Sequence, residues 1–220
     1  MVHGWGGDRS DEHVGRTAPV YSEAGYGVLM LDLRGHGESG GGRRTLGYRE
    51  VRDVRGALAW LEAEDLDPGE VVLHGWSMGG ATVVRSAPGT GVSAVVEEAG
   101  YADLPLLLRD GLPESSGLPR AFNAGAFLAA KLFLDFDPWA VRPRADAARL
   151  REEGVPLYVI HSTADETVPY EHAGLFARSN PEAELWTLRG YEHVGAYEHP
   201  EYETRLRAFL DTASRREEDG

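Results

Sequence analysis

The sequence predicts an α/β fold with a mostly parallel, doubly wound sheet. Short runs of β-branched and apolar residues alternate with amphipathic segments along most of the 220 residues, without internal repeats. Parallel strands need crossover connections that pack on the sheet, so this alternation indicates helices on both of its faces. The length and the hydrophobic content of 42% are ordinary for one globular domain, which we place at 1–220.

The first half of the chain supplies three predicted strands and one clear helix. Val-rich or Leu-rich runs at 27–31, 71–74 and 92–96 are predicted strands. The segment 48–64 is predicted to be helical because its apolar residues recur at spacings of three and four. These residues are Val51, Val54, Leu58 and Leu61.

The second half continues the pattern after an interruption. Strands are predicted at 155–161 and 183–188, and a C-terminal helix at 200–213. Between 101 and 151 we find no convincing strand, and prolines break the alternation. They are Pro105, Pro113, Pro119, Pro138 and Pro143. A small helical insertion into the α/β pattern is predicted for this segment.

A Gly-Trp-Ser-Met-Gly stretch at 75–79 directly follows the strand at 71–74. The glycines on both sides of Ser77 leave room for a sharp turn from a strand into a helix. Such a turn exposes Ser77 Oγ at the C-terminal edge of the sheet. It also leaves the backbone N–H of Met78 free to face a developing oxyanion. Ser77 is therefore the predicted nucleophile.

A serine hydroxyl is a poor nucleophile unless a base activates it and a third group orients that base. Asp165 lies in the loop after the strand at 155–161, and His193 lies in the loop after the strand at 183–188. The loops that follow parallel strands meet at one edge of a sheet, whatever their separation in sequence. We therefore predict Asp165 as the acid and His193 as the general base.

The chain resembles the α/β-hydrolases, in particular their serine-aminopeptidase-like and prolyl-oligopeptidase-like esterase branches. The matching residues run through nearly the whole chain: His3-Gly4-Trp5-Gly6-Gly7, Asp32-Leu33-Arg34-Gly35-His36-Gly37-Glu38-Ser39, Gly75-Trp76-Ser77-Met78-Gly79-Gly80, Asp165 and His193. The resemblance implies that the backbone N–H of Trp5 is the second oxyanion donor. It implies that 101–151 is a cap-like insertion over the active site. It also favours Asp165 over two rival acids, the adjacent Glu166 and Asp103, which follows the strand at 92–96.

A cap in that position would need an apolar underside to bind an acyl or alkyl group. Eight residues of the insertion could form it: Leu106, Leu107, Leu112, Phe122, Phe127, Leu128, Phe133 and Phe136. The alternative is that these residues are ordinary core positions, since apolar residues at helical spacing most often are.

These observations predict a serine hydrolase that cleaves an ester or related acyl bond through an acyl-enzyme, with a small-molecule acyl substrate. Neither a cofactor nor a metal is required for this chemistry. Thioesterase, acylaminopeptidase and lipase activities stay open as alternatives, as does a non-catalytic binding protein with the same fold. The oligomeric state is left open.

The composition argues against several other classes of protein. Acidic residues outnumber basic ones by 36 to 22, a net charge of −14 that disfavours binding to nucleic acid or anionic membranes. The absence of cysteine excludes disulfides, thiolate catalysis and cysteine-ligated metals. We see no secretory signal, and the most apolar stretch, 124–130, is far short of the roughly 20 residues that span a bilayer. A cytoplasmic location is expected.

Only Met1 and Val2 precede His3, where the resemblance implies a central strand. Strands usually need about five or six residues. We therefore expect a domain that is incomplete at its N-terminus, with a gap between the strands at 27–31 and 71–74. Unpaired backbone groups on both sides of such a gap would leave the chain insoluble or molten.

Overall fold

A computed structural model describes residues 1–117 and 119–218. Its sheet has four parallel strands in the order β1-β2-β3-β4. They are β1 Val72–Trp76, β2 Ala94–Glu98, β3 Leu157–Ser162 and β4 Glu184–Leu188. In register, Gly75 of β1 lies opposite Glu97 of β2, and Glu98 lies opposite Ile160 of β3. Because all four strands are parallel, every strand delivers its C-terminal loop to the same edge.

Eight α-helices connect and cover these strands within the described residues. They are α1 Glu12–Glu23, α2 Val51–Ala63, α3 Met78–Ser86, α4 Leu104–Ser116, α5 Asn123–Phe133, α6 Pro143–Glu152, α7 Glu171–Ser179 and α8 Tyr202–Glu218. Short 3-10 turns occur at Pro68–Glu70, Arg120–Phe122, Pro138–Ala140 and Gly195–Glu198.

Two buried clusters lie on opposite faces of the sheet. On one face, Val54 of α2, Val83 of α3 and Phe176 of α7 belong to a cluster that also contains β-strand side chains and residues of α6. On the other face, Tyr21 of α1 and Leu206 of α8 pack with side chains of β2, β3 and β4. Helices therefore cover both faces, and the predicted α/β architecture is confirmed.

Most predicted elements agree with the structure to within a few residues, and one does not. The strands predicted at 71–74, 92–96, 155–161 and 183–188 correspond to β1 to β4. The segment 27–31, predicted to be a strand, is not one. Within it, only Leu31 forms an isolated bridge, to Val2.

Val2 occupies the position expected for the central strand. It forms parallel bridges to Leu31 on one side and to Gly75 of β1 on the other. Its N–H donates to the carbonyl of His74 at 2.8 Å, and its own carbonyl accepts from Trp76 at 3.1 Å. Val2 therefore joins the two sides of the predicted gap at the end nearest Ser77.

The segment 101–151 has no strand among its described residues. Its last helix, α6, packs against α3 and α7 in the core, so the part that leaves the sheet layer is 104–140. Three of the apolar residues expected on a cap underside are exposed instead: Phe122 by 58%, Leu128 by 50% and Phe133 by 77%. The division into a domain and a cap stays a prediction.

Among the described residues, no helix combines the length and the apolar character that crossing a bilayer requires.

Candidate active site

Ser77 lies at the turn between β1 and α3, in a backbone conformation that non-glycine residues rarely adopt, with φ 53° and ψ −118°. The flanking glycines make this turn possible. A Cβ on Gly75 would lie 2.3 Å from the carbonyl oxygen of Gly79, and a Cβ on Gly79 would lie 2.1 Å from that of Val2. Any larger side chain at either position would push the helix or the N-terminal segment away from the strand.

The end of β2 and the residue after it hold this turn through backbone hydrogen bonds. The N–H of Ser77 donates to the carbonyl of Glu98 at 2.8 Å. The next residue, Ala99, also has a positive φ of 55°, and its N–H donates to Ile160 of β3 at 2.9 Å. The two strained residues are therefore tied to the sheet by backbone hydrogen bonds, which hold the serine at the strand ends.

His193 reaches Ser77 from the loop that follows β4. Its Nε2 lies 2.8 Å from Ser77 Oγ, across 116 residues of sequence, and its Nδ1 lies 2.7 Å from Asp165 Oδ2. The imidazole is half-buried, with 21% of its side chain exposed. Because the carboxylate accepts the proton on Nδ1, Nε2 is left bare to accept the serine proton.

Asp165 is buried in the loop after β3, and each of its oxygens has a partner. Oδ1 accepts the backbone N–H groups of Thr167 at 2.9 Å and Val168 at 2.8 Å, which leaves Oδ2 for the histidine. The two rival acids lie elsewhere. Glu166 is exposed, and Asp103 caps α4 and pairs with an arginine at 2.9 Å.

Two side chains that the sequence analysis did not single out hold this acid and base. Ser162 Oγ, at the end of β3, donates to the carbonyl of Tyr191 at 2.6 Å and so ties the histidine loop to the strand. His161 Nε2 donates to Val168 at 2.8 Å and lies 3.5 Å from Asp165 Oδ2. Burial lowers the pKa of His161, so a neutral ring faces the carboxylate. Both residues lie at the end of the strand that precedes the predicted acid, and this position is the sequence signal that could have identified them.

The two predicted oxyanion donors lie on either side of the serine. Met78 is the first residue of α3, so its N–H has no partner within the helix. Trp5 belongs to a loop that touches the serine through Gly4, where a Cβ would lie 3.2 Å from Ser77 Cβ. Within the described residues no hydrogen bond engages either N–H. Their role at an oxyanion stays a prediction.

Two consecutive buried glutamates, Glu97 and Glu98, lie at the end of β2, next to the turn at Ser77. Glu97 accepts the N–H of Gly100, and Glu98 accepts the hydroxyl of Tyr202 at 3.0 Å. Burial raises the pKa of Glu97 well above its usual range and that of Glu98 to about 8. Both shifts favour the neutral carboxyl groups, which limits additional negative charge near Ser77 and Asp165.

Comparison with known proteins places this geometry in a family. The model of the alpha/beta hydrolase family matches residues 1–204. Protein YfhR of Escherichia coli (strain K12) is 25% identical over 181 residues, which are 80% of this chain and 56% of that protein. Protein YqkD of Bacillus subtilis (strain 168) is 25% identical over 199 residues, 87% of this chain and 64% of that protein. The chain thus spans less than two thirds of the length of these relatives.

Solved structures share the same fold. The esterase Pf2001 of Pyrococcus furiosus superposes with a TM-score of 0.74 at 24% identity, over 96% of this chain and 81% of that one. Est1E of Butyrivibrio proteoclasticus, solved with ferulic acid, gives a TM-score of 0.77 at 19% identity, over 97% and 88%. The strand order, the turn at Ser77 and the family match agree, and this chain belongs to the alpha/beta hydrolase family.

Proposed function

We propose that this protein is a serine hydrolase that cleaves an ester or related acyl bond, with Ser77 as nucleophile, His193 as general base and Asp165 as its orienting acid. One observation carries the proposal: the continuous hydrogen-bonded path from Ser77 Oγ through both imidazole nitrogens to the Asp165 carboxylate, at 2.8 and 2.7 Å. These separations lie within the range that proton transfer between such groups requires.

In the first half-reaction, Ser77 Oγ attacks the acyl carbon while His193 Nε2 takes the hydroxyl proton. The carbonyl electron pair moves onto its oxygen, where the backbone N–H groups of Met78 and Trp5 are proposed to stabilise the negative charge. Collapse of this intermediate breaks the bond to the leaving group, which receives the proton from the imidazolium. Asp165 stabilises that cation without taking the proton.

In the second half-reaction, a water molecule attacks the acyl-enzyme and His193 takes its proton. The tetrahedral intermediate then expels Ser77 Oγ, which regains the proton from the imidazolium, and the acid product leaves. Every step uses only these side chains, the two N–H groups and water.

A fluorophosphonate probe tests the nucleophile directly, because it reacts covalently with an activated serine. We expect stoichiometric labelling at Ser77, found by mass spectrometry, and none in Ser77→Ala. Ser86→Ala is the matched control: this buried serine on α3 donates only to Thr82 of its own helix at 2.7 Å, and its loss should leave labelling unchanged. Labelling that persists in Ser77→Ala would contradict the proposal.

The acyl group is tested with p-nitrophenyl esters of increasing chain length, beside a thioester and an amide of the same acyl group. We expect the ester to be cleaved faster than the amide, because p-nitrophenoxide leaves as an anion whereas the amine must be protonated to leave. A faster thioester or amide would instead favour the thioesterase or acylaminopeptidase alternative.

A further inference from the structure

Glu98, the last residue of β2, contacts the site through its main chain and through its side chain. Its backbone carbonyl accepts the N–H of Ser77 at 2.8 Å, and in register it lies opposite Trp76, the residue before the proposed nucleophile. The residue is only 1% exposed. A carboxyl group buried to this extent is costly unless other groups of the protein bond to it. Its neighbours therefore show what it holds in place.

Tyr202, the first residue of α8, connects this side chain to the loop that carries His193. The tyrosine hydroxyl donates to Glu98 Oε2 at 3.0 Å. Its backbone N–H donates to the carbonyl of His199 at 2.9 Å, and the N–H of His199 donates to the carbonyl of Ala196 at 2.9 Å. Ala196 belongs to the 3-10 turn that begins two residues after His193. Three hydrogen bonds in succession therefore link the carboxyl group to the loop of the proposed base.

The other groups around the Glu98 carboxyl group come from β1 and from the 3-10 turn. Burial raises its pKa to about 8, and the indole N–H of Trp76 and the backbone N–H of Ala196 face it and oppose that rise. His74 Nε2 lies 3.7 Å from Glu98 Oε2, and the His74 ring stacks on Trp76 with 4.1 Å between centroids. Burial lowers the pKa of His74, so this neighbour is neutral. The carboxyl group thus lies between a residue beside the nucleophile and a residue of the histidine loop.

Packing alone does not require a carboxyl group at this position. An apolar side chain of similar size would fill the same space without the cost of burying a polar group. What the carboxyl group adds is direction, because a hydrogen bond fixes the distance and the angle between the groups that it joins. Here the joined segments are the turn at Ser77 and the loop of His193, which are 116 residues apart in sequence.

We propose that Glu98 is a positioning residue, whose carboxyl group fixes the histidine loop relative to the nucleophile turn and so keeps His193 Nε2 within reach of Ser77 Oγ. This inference rests on the proposed function, because it concerns the alignment of that nucleophile and that base. Glu98 itself touches neither the substrate nor the reacting atoms. A displacement of about 1 Å can cost on the order of a hundredfold in rate, so the loss of this link is measurable.

The test compares two substitutions of Glu98. Methionine has a similar length but is only a weak acceptor, whereas the amide oxygen of glutamine still accepts from Tyr202. With a p-nitrophenyl ester, we expect Glu98→Met to lower kcat on the order of tenfold and to leave KM unchanged, because the carboxyl group does not bind substrate. Glu98→Gln should keep most of kcat. Tyr158→Phe is the matched control, since it removes another buried hydroxyl from the cluster that contains Tyr202 and should leave kcat unchanged.

Proton NMR measures the same alignment without turnover. The downfield resonance of the proton between His193 and Asp165 should shift in Glu98→Met and keep its position in Glu98→Gln. Near-UV circular dichroism shows whether each variant is folded. If Glu98→Met does not fold, Glu98→Asp takes its place, because its carboxyl group is one methylene further from Tyr202.

Three results would overturn the proposal: an unchanged kcat in the folded Met or Asp variant, an unchanged resonance in that variant, or an equal loss of kcat in Glu98→Gln. A loss of the same size in Tyr158→Phe would also overturn it, because any disturbance of the cluster would then have this effect. If the unsubstituted protein hydrolyses no ester, the proposed function is wrong, and the resonance still decides whether Glu98 positions the histidine loop.

Discussion

At the carboxyl ends of the strands, the loops are held together by side-chain hydrogen bonds. The amino end of β1, in contrast, borders a cavity. Around Ser77, the imidazole of His193 and both oxygens of Asp165 have partners. Beside β1 and the segment 27–31 lies a groove with a cavity of about 660 Å³, lined in part by Trp60. Val2 lies between the two regions, where it bridges Leu31 on one side and Gly75 on the other.

The comparison indicates that the residues proposed for catalysis and the residues that stabilise the fold lie in different parts of the molecule. The proposed catalytic groups stand on loops at one edge, where their side chains contribute little to the core, so their removal should affect turnover and not folding. The groove and the buried clusters lie below them, and substitutions there should affect the free energy of unfolding and not the reaction. Four substitutions test this separation, in order of decreasing effect.

Ser77→Ala is expected to have the largest effect, a loss in turnover on the order of 10⁶-fold, because the hydroxyl is the proposed nucleophile. The melting temperature should stay unchanged, since the side chain does little packing. Initial rates with p-nitrophenyl acetate and a thermal melt measure the two quantities. A variant that unfolds would show that the turn at Ser77 carries stability as well as chemistry.

Asp165→Asn should lower turnover by about 10⁴-fold, because the amide no longer holds the imidazole in the tautomer that leaves Nε2 bare. Glu166→Gln is the matched control, one residue away and exposed, and its effect should be small. Rates of both variants measured side by side decide the assignment. A larger loss in Glu166→Gln would mean that the wrong carboxylate was chosen.

Phe176→Ala should cost about 3–5 kcal/mol of unfolding free energy, because it removes a fully buried ring from the cluster behind α7. Trp60→Ala, on the groove wall, should cost much less, because its ring is 53% exposed. Urea unfolding measures both. At urea concentrations below the unfolding transition, the folded Phe176→Ala protein should hydrolyse ester at the rate of the unsubstituted protein. A loss of hydrolysis rate that parallels the loss of stability would show that packing and catalysis are not separate.

The smallest expected effect is a change in how stability depends on pH. Burial raises the pKa of Glu98 from an ordinary value of 4.5 to about 8, so the folded state holds this proton to a higher pH than the unfolded state does. The stabilisation that the protonated Glu98 carboxyl group gives to the folded state is complete below pH 4.5 and is lost as the pH rises through about 8. Glu98→Gln, which cannot ionise, should flatten the decline in melting temperature between pH 6 and 9. Identical slopes for the two proteins would contradict this.

Part of the fold was predictable because its signals are local. Alternating apolar runs marked β1 to β4, and two glycines around a serine marked the strand-to-helix turn. The segment 27–31 has the same apolar composition as the true strands, yet it forms only one bridge, because strand formation depends on what lies beside it. Cap residues such as Phe133 face solvent for a similar reason: helical spacing alone does not say which face is covered.

By itself, the sequence determined the α/β pattern and the loops that carry the proposed nucleophile, acid and base, since these depend on neighbouring residues along the chain. The tertiary structure decided the rest. It placed Asp165, and not Glu166 or Asp103, against His193, and it tied the histidine loop to Ser162. These outcomes depend on contacts between residues far apart in sequence, and no local pattern specifies which distant segment will lie beside a given strand.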